Sequence, residues 1–391
     1  MKPPTLLLDL THTCHTRART GIQRVARSLL AALGDAGCAI THDPHLRRWR
    51  ELESWERANL AADTPARARG AQWPLAARAR GFARRKFGRT APPLPASRGL
   101  IVVEVFSPSV ARALPALFAE IRGPRVAVFH DAIALQFPEL TPPGTVARFP
   151  AYLVELLEFD GIAAVSEDSR QTLIDYWQWL GVGRTPPVVA IPLGMDIPAT
   201  EPTPIAPGGP PVVLTVASIE GRKNHVALLE ACEILWGRGR QFSLHLIGLA
   251  HAQTGAAALE RIRRLQADGR PLRYLGPATD AAVNAAYANC TFTVYPSLAE
   301  GFGLPVLESL SHGKPCVCSA RGAIGESARP GGCVTLEAMD AASLASAIAR
   351  LLESPAELAA LATAARRRPG RSWARYAEEL RAWMERLPLQ K

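Results

Sequence analysis

No stretch of this 391-residue sequence is apolar for long enough to cross a bilayer, and the run from Met1 to Asp9 lacks the layout of a signal peptide. A cytoplasmic protein is the expectation. The seven cysteines form no spaced framework. The nearest two, Cys316 and Cys318, fall on one face of a single strand, so free thiols in a reducing compartment are the simplest account. His12, Cys14 and His15 cluster near the start, but no second group supplies further ligands, and no bound metal is expected. A lysine-and-serine P-loop is also missing, which disfavours a nucleotide triphosphatase. Disorder is excluded by a hydrophobic fraction of 48%, and the length suffices for two domains with separate cores.

What the chain does have is a steady alternation of strand-like and helix-like runs. Strand patterns fall at 5–10, 100–106, 125–129, 161–165 and 188–191, then at 212–216, 242–248, 272–275, 291–295 and 315–319. Helical patterns lie between them, at 21–33, 110–121, 145–158, 167–180, 256–267, 280–288 and 305–312 among others. Such alternation predicts an α/β fold with parallel sheets, whose ligand sits beyond the carboxyl ends of strands. Residues 197–211 hold six prolines and no periodicity. They read as a linker between a first domain, 1–196, and a second, 212–370.

The formal net charge of +10 is concentrated: residues 44–90 carry twelve Arg or Lys against four Asp or Glu. This is the least regular part of the chain, and Trp49, Trp55 and Trp73 lie among its arginines. Interleaved aromatic and basic residues suit the interface of an anionic membrane. An arginine-rich insertion whose tryptophans are simply packed is the alternative. Nothing else in the chain supports nucleic acid as a partner.

The most informative stretch is 297–308. A buried strand pattern leads into it and a helix pattern leads out. Gly301 and Gly303 allow close backbone approach, Pro305 suits a first helical turn, and the amides there make an anion site for which phosphate is the natural occupant. Glu300 precedes the helix and Glu308 lies a turn inside it, too far apart for a glycosidase-like acid pair. As acceptors they suit sugar hydroxyls on either side of a phosphate, so the ligand reads as a nucleotide-sugar. The alternative is a surface loop with two solvated glutamates.

Written out, Glu300-Gly-Phe-Gly-Leu-Pro-Val-Leu-Glu308 followed by Gly313-Lys-Pro resembles the signature of the family 4 retaining glycosyltransferases. So do Val128-Phe-His-Asp-Ala, Val165-Ser-Glu-Asp-Ser-Arg170, Ile191-Pro-Leu-Gly-Met-Asp196, Tyr274-Leu-Gly-Pro277 and the Gly322 to Glu326 loop, in the family's order. The resemblance covers nearly the whole chain apart from 44–90. It implies a GT-B fold, two Rossmann-like domains with parallel sheets facing a central cleft, and a terminal helix, 371–391, crossing back to the first domain.

The resemblance further implies roles. His130 would lie beside the donor sugar, Lys223 and Arg222 would hold the pyrophosphate, and Glu300 would take the donor-sugar hydroxyls. His130, Glu300 and Lys223 form the expected catalytic set. Donor binding falls to Gly21, Ser218, Arg222, Lys223, Leu275, Gly276, Glu300, Gly301, Phe302, Gly303, Leu304 and Glu308, with Glu308 on the ribose diol. Ser218 departs from the family, where an arginine is usual. Arg17, Arg19 and Arg24 could bind an anion or form a solvated basic loop. The implied activity is transfer of a hexose, mannose favoured and GDP-mannose as the donor, to a glycan or lipid-linked acceptor in surface polysaccharide assembly. No cofactor is expected, and no metal is required. A nucleotide-sugar epimerase of the same fold, or a non-catalytic nucleotide-sugar-binding subunit of a glycan assembly complex, are the alternatives.

Overall fold

The computed structural model describes residues 5–19, 21–62, 70–88, 92–195 and 209–388. Thr20, Asp196, residues 63–69 and 89–90 of the basic segment and residues 197–208 of the expected linker lie outside them.

The first sheet is built from β1 (Thr5–Asp9), β2 (Gly37–Asp43), β3 (Arg48–Glu51), β4 (Ser97–Val102), β5 (Arg125–Phe129), β6 (Gly161–Ala164) and β7 (Val188–Ala190). Its order is β3-β2-β1-β4-β5-β6-β7, parallel except for β3, which pairs antiparallel with β2. The second sheet contains β8 (Val212–Val216), β9 (Ser243–Ile247), β10 (Leu272–Tyr274), β11 (Phe292–Tyr295), β12 (Cys316–Ser319) and β13 (Cys333–Leu336), ordered β10-β9-β8-β11-β12-β13 and parallel throughout. In both sheets the central strands are buried on two faces, β1 and β4 through Leu, Ile and Val and β8 and β11 through Val, Leu, Phe and Tyr, as helix-covered parallel sheets require.

Several elements differ from the sequence expectation for identifiable reasons. β2 escapes a hydrophobic pattern because its last three residues, Thr41, His42 and Asp43, are polar yet buried. β4 runs from Ser97 to Val102, earlier than 100–106, because the chain leaves the ladder where Glu104 turns to bond the loop after β1. The helix expected at 110–121 is two short ones, Pro108–Ala111 and Leu114–Phe118, the second restarting with Pro115 in its first turn. Gly322 to Glu326, expected as a loop, begins the helix Gly322–Ala328.

The basic segment is more regular than expected. It contains β3 and the helices Ser54–Ala61 and Leu75–Lys86, the former opened by a capping box between Glu53 and Glu56. At the other end of the chain, the helix Trp373–Met384 buries Trp373, Tyr376, Ala377, Leu380 and Met384 in one cluster with Leu6, Leu8 and Val126 of the first domain.

Candidate active site

The turn between β11 and the helix Leu304–Ser311 is where the carboxyl ends of the two sheets meet. Gly303 adopts a left-handed φ of 93° at the helix start, with Pro305 in the first turn. Gly301 lacks a side chain for another reason: a Cβ there would lie 2.1 Å from the backbone oxygen of His130, which follows β5. The contact is fastened by hydroxyls. Ser166 Oγ donates to the Gly301 carbonyl at 2.7 Å and Ser169 Oγ to the His130 carbonyl at 2.8 Å. Among the described residues, the amides of Gly301, Phe302, Gly303 and Leu304 donate to no protein acceptor. Four donors at a helix start, with the dipole behind them, make a site for negative charge.

Two cations stand beside that turn. Arg222 and Lys223 come from the short 3-10 turn Gly221–Lys223 after β8, which ends at Asn224 with a left-handed φ of 54°. Lys223 forms an ion pair with Glu300 and donates to the Tyr295 hydroxyl at 2.5 Å. Arg222 reaches the other Glu300 oxygen at 2.8 Å and Glu220 at 3.0 Å. Burial would raise the Glu300 carboxyl, but the charges of Arg222 and Lys223 outweigh it and bring it down to about 2. Burial, and then the adjacent Arg222, lower the pKa of Lys223. Positive charge is thus stored next to the amides, with Glu300 as its counter-ion.

Glu308 faces a different partner. It forms an ion pair with Arg24, from the helix Gly21–Leu33 of the first domain, and accepts a hydrogen bond from Tyr287 at 3.2 Å. The Tyr287 ring stacks on His312 with centroids 4.8 Å apart. Arg19 of the first domain likewise pairs with Asp280, at the start of the helix Asp280–Asn289. Of Arg17, Arg19 and Arg24, then, two bind acids across the domain boundary, while Arg17 turns to Asn59 at 3.3 Å.

His130 is buried, and its Nε2 donates to the Val103 carbonyl at 2.7 Å. That bond fixes the ring and leaves Nδ1 as an acceptor, while burial lowers the pKa. The remaining expected residues are more peripheral. Gly21 opens its helix at the surface, where a Cβ would meet nothing within 4 Å. Ser218 lies half-buried after β8. Leu275 and Gly276 follow β10, Leu275 exposed and Gly276 with φ 66°.

Sequence reasoning missed Tyr295, Glu220 and the capping role of Glu326. The Glu326 carboxylate accepts the amides of Glu167 at 3.0 Å and Asp168 at 2.6 Å, at the start of the first-domain helix Glu167–Trp179. A tyrosine ending the strand before a charged turn was the available signal for Tyr295. Glu56 was missed too. It joins Cys14 and His15 in a buried group with ligand atoms within 4.8 Å of one another, whereas His12 stands apart. Its geometry is that of an ion network. The His15 ring nitrogens meet the Thr11 carbonyl and Glu56, and Glu56 takes two N–H bonds from Arg50, which also bonds Asp43.

Residues 197–368 match the family described as glycosyl transferases group 1. Over 335 residues the chain is 26% identical to the serotype-specific mannosyltransferase WbdA of Escherichia coli, a match covering 80% of this chain and 38% of that protein. The chain therefore spans less than two fifths of that relative's length. Among solved structures, sucrose-phosphate synthase from Thermosynechococcus elongatus aligns with a TM-score of 0.69 at 17% identity, over 97% of this chain and 98% of that one. HepE of Anabaena, in complex with UDP and glucose, gives a TM-score of 0.67 at 16% identity, over 98% and 100% of the two chains. These likenesses show the fold, which is GT-B.

Proposed function

We propose that the chain is a retaining glycosyltransferase that moves a hexose, with mannose favoured, from a nucleoside-diphosphate sugar to a glycan or lipid-linked acceptor in surface polysaccharide assembly. The observation that carries this is the convergence of four partnerless amides, Arg222, Lys223 and Glu300 on the turn that touches His130. A pyrophosphate leaving group needs positive potential where its charge grows, and this cluster supplies it from both backbone and side chains. A mannosyltransferase relative supports the sugar, and GDP-mannose is the favoured donor.

The chemistry follows from the placement. When the diphosphate enters, it competes with Glu300 for Lys223 and Arg222, and frees the carboxylate to accept donor-sugar hydroxyls. Glu308 exchanges Arg24 for the ribose diol. The departing phosphate takes the acceptor's proton in a front-side displacement, with retention. His130 forms the opposite wall, and the docked domains limit hydrolysis by excluding water. The test is release of nucleoside diphosphate from GDP-mannose. Release that depends on an added glycan acceptor supports transfer, whereas conversion of the donor without an acceptor means an epimerase, and binding without turnover means an idle subunit.

The same proposal places the chain in the cytoplasm, peripheral on the inner face of the membrane. The tryptophans of the basic segment do not serve that contact. Trp49 is buried, and Trp55 and Trp73 pack on the His15 ring at 5.4 and 4.0 Å. What faces outward is Leu75, Phe82 and Phe87, on and just beyond the helix Leu75–Lys86, among Arg84, Arg85 and Lys86. A variant with those three cations neutralised should sediment less with anionic vesicles; equal sedimentation removes the membrane from the proposal.

A further inference from the structure

We propose that a cavity on the flank of the first domain, outside the cleft, binds a sugar phosphate through Arg47, Arg48 and Arg112. The cavity measures about 720 Å³ and lies between the β2–β3 turn and the segment 109–120. That volume is within the range of small-molecule sites and exceeds what a bare anion fills. It is distinct from the cleft: β2 is separated from β5, which leads to His130, by β1 and β4, so the turn lies about 14 Å across the sheet at the usual strand spacing.

The charge of the lining is unbalanced. Among the described residues, none of the three guanidiniums makes a hydrogen bond or an ion pair. Other arginines of the same segment are partnered: Arg50 by Asp43 and Glu56, Arg57 by Glu51, and both Arg80 and Arg84 by Glu53. Glu120 is the acid in the cavity lining, and three positive charges against its one leave a surplus of two. A phosphate monoester dianion matches that surplus, and guanidinium forks match its oxygens.

The turn that presents Arg47 is built to hold it. Arg47 has a left-handed φ of 58°, a conformation that residues other than glycine avoid. Asp43 maintains it: its Oδ1 accepts the amides of His45 at 2.9 Å and Leu46 at 3.0 Å, and its carbonyl accepts the Arg47 amide at 2.7 Å. The helix Leu75–Lys86 presses on the same turn at Gly81, where a Cβ would come within 2.7 Å of His45 Cβ. The basic segment therefore supports one wall of the cavity. Beside the arginines, His42, Ser109 and Glu120, the rest of the lining is apolar and suits a sugar's C–H face. Trp49 spends its indole N–H on the Ala113 carbonyl at 3.0 Å, so it offers ring carbons, beside Pro92 and Pro93.

The test is calorimetric titration of the full chain with mannose 6-phosphate, mannose, inorganic phosphate and vesicles of phosphatidylglycerol in phosphatidylcholine. The expected result is binding of mannose 6-phosphate, weaker binding of inorganic phosphate and none of mannose. Arg47→Ala and Arg112→Ala should each weaken it by about tenfold, with an unchanged thermal midpoint. Because no donor or turnover is involved, the outcome is independent of transferase activity in the cleft. Absence of binding at millimolar mannose 6-phosphate, or affinity unmoved in the double variant, overturns the site. So does loss of vesicle binding in the double variant without any sugar-phosphate binding, which would assign the arginines to a lipid headgroup.

Discussion

The two domains share an architecture but use buried charge in opposite ways. In the second, Arg222, Lys223 and Glu300 sit at the carboxyl end of the sheet, next to amides with no protein acceptor. In the first, Asp43 and His15 join Arg50 and Glu56 of the basic segment and the four satisfy one another, and that network fixes a turn. A buried ion pair contributes little net stability when complete, but leaves an uncompensated charge when one partner goes. Under the proposed function the second cluster exchanges Glu300 for a ligand, whereas the first has no unused donors beside it among the described residues. The lesson is that burial and pairing alone do not mark a site, whereas pairing beside unused donors does.

The sharpest way to break this comparison is to remove one cation from each domain. Lys223→Ala should lower turnover by about 10²- to 10³-fold while leaving the thermal midpoint near that of the parent. Arg50→Ala should do the reverse, with a loss of about 3–5 kcal/mol in denaturant unfolding of the first domain. If Arg50→Ala folds normally or Lys223→Ala unfolds, the contrast between exchangeable and structural charge is wrong.

Gly301→Ala sharpens it further, because its Cβ has no space against His130 and must push the domains apart. The expected outcome is reduced donor affinity with a larger radius of gyration by X-ray scattering. Glu308→Ala should weaken nucleoside-diphosphate binding by about tenfold in calorimetry, a hydrogen-bonded carboxylate contact being lost. Unchanged affinity would leave Glu308 as a partner of Arg24 alone.

A separate prediction concerns pH. Burial, and then the charge of Glu104, push the Asp9 carboxyl up to about 7. A raised carboxyl binds its proton more tightly in the folded state, so its contribution to stability is complete below the unfolded pKa near 4 and is lost as pH rises to about 7. Asp9→Asn should therefore gain thermal midpoint relative to the parent as pH goes from 5 to 8. A difference independent of pH would show that Asp9 does not titrate there.

The sequence carried the second domain more completely than the first, for physical reasons. Strands β8 and β11 are apolar runs broken only by Thr215 and Thr293, and Gly301, Gly303 and Pro305 announce their turn by residue type. The carboxylates of Glu300 and Glu308 were legible, but their present partners were not, since Lys223 and Arg24 are distant in sequence. In the first domain, β2 hides behind its polar end, and β3 consists of Arg48, Trp49, Arg50 and Glu51, with no apolar alternation to betray a strand. Arg50 is legible as a basic residue; that Asp43 and Glu56 would surround it depends on a hairpin that periodicity does not reveal.

One contact has a consequence for movement. The first two amides of the first-domain helix Glu167–Trp179 terminate on Glu326 of the second domain. Swinging the lobes apart would strip that helix of a borrowed acceptor, at about 1 kcal/mol on the scale of a helix cap. Opening therefore works against a built-in spring unless water takes over those amides.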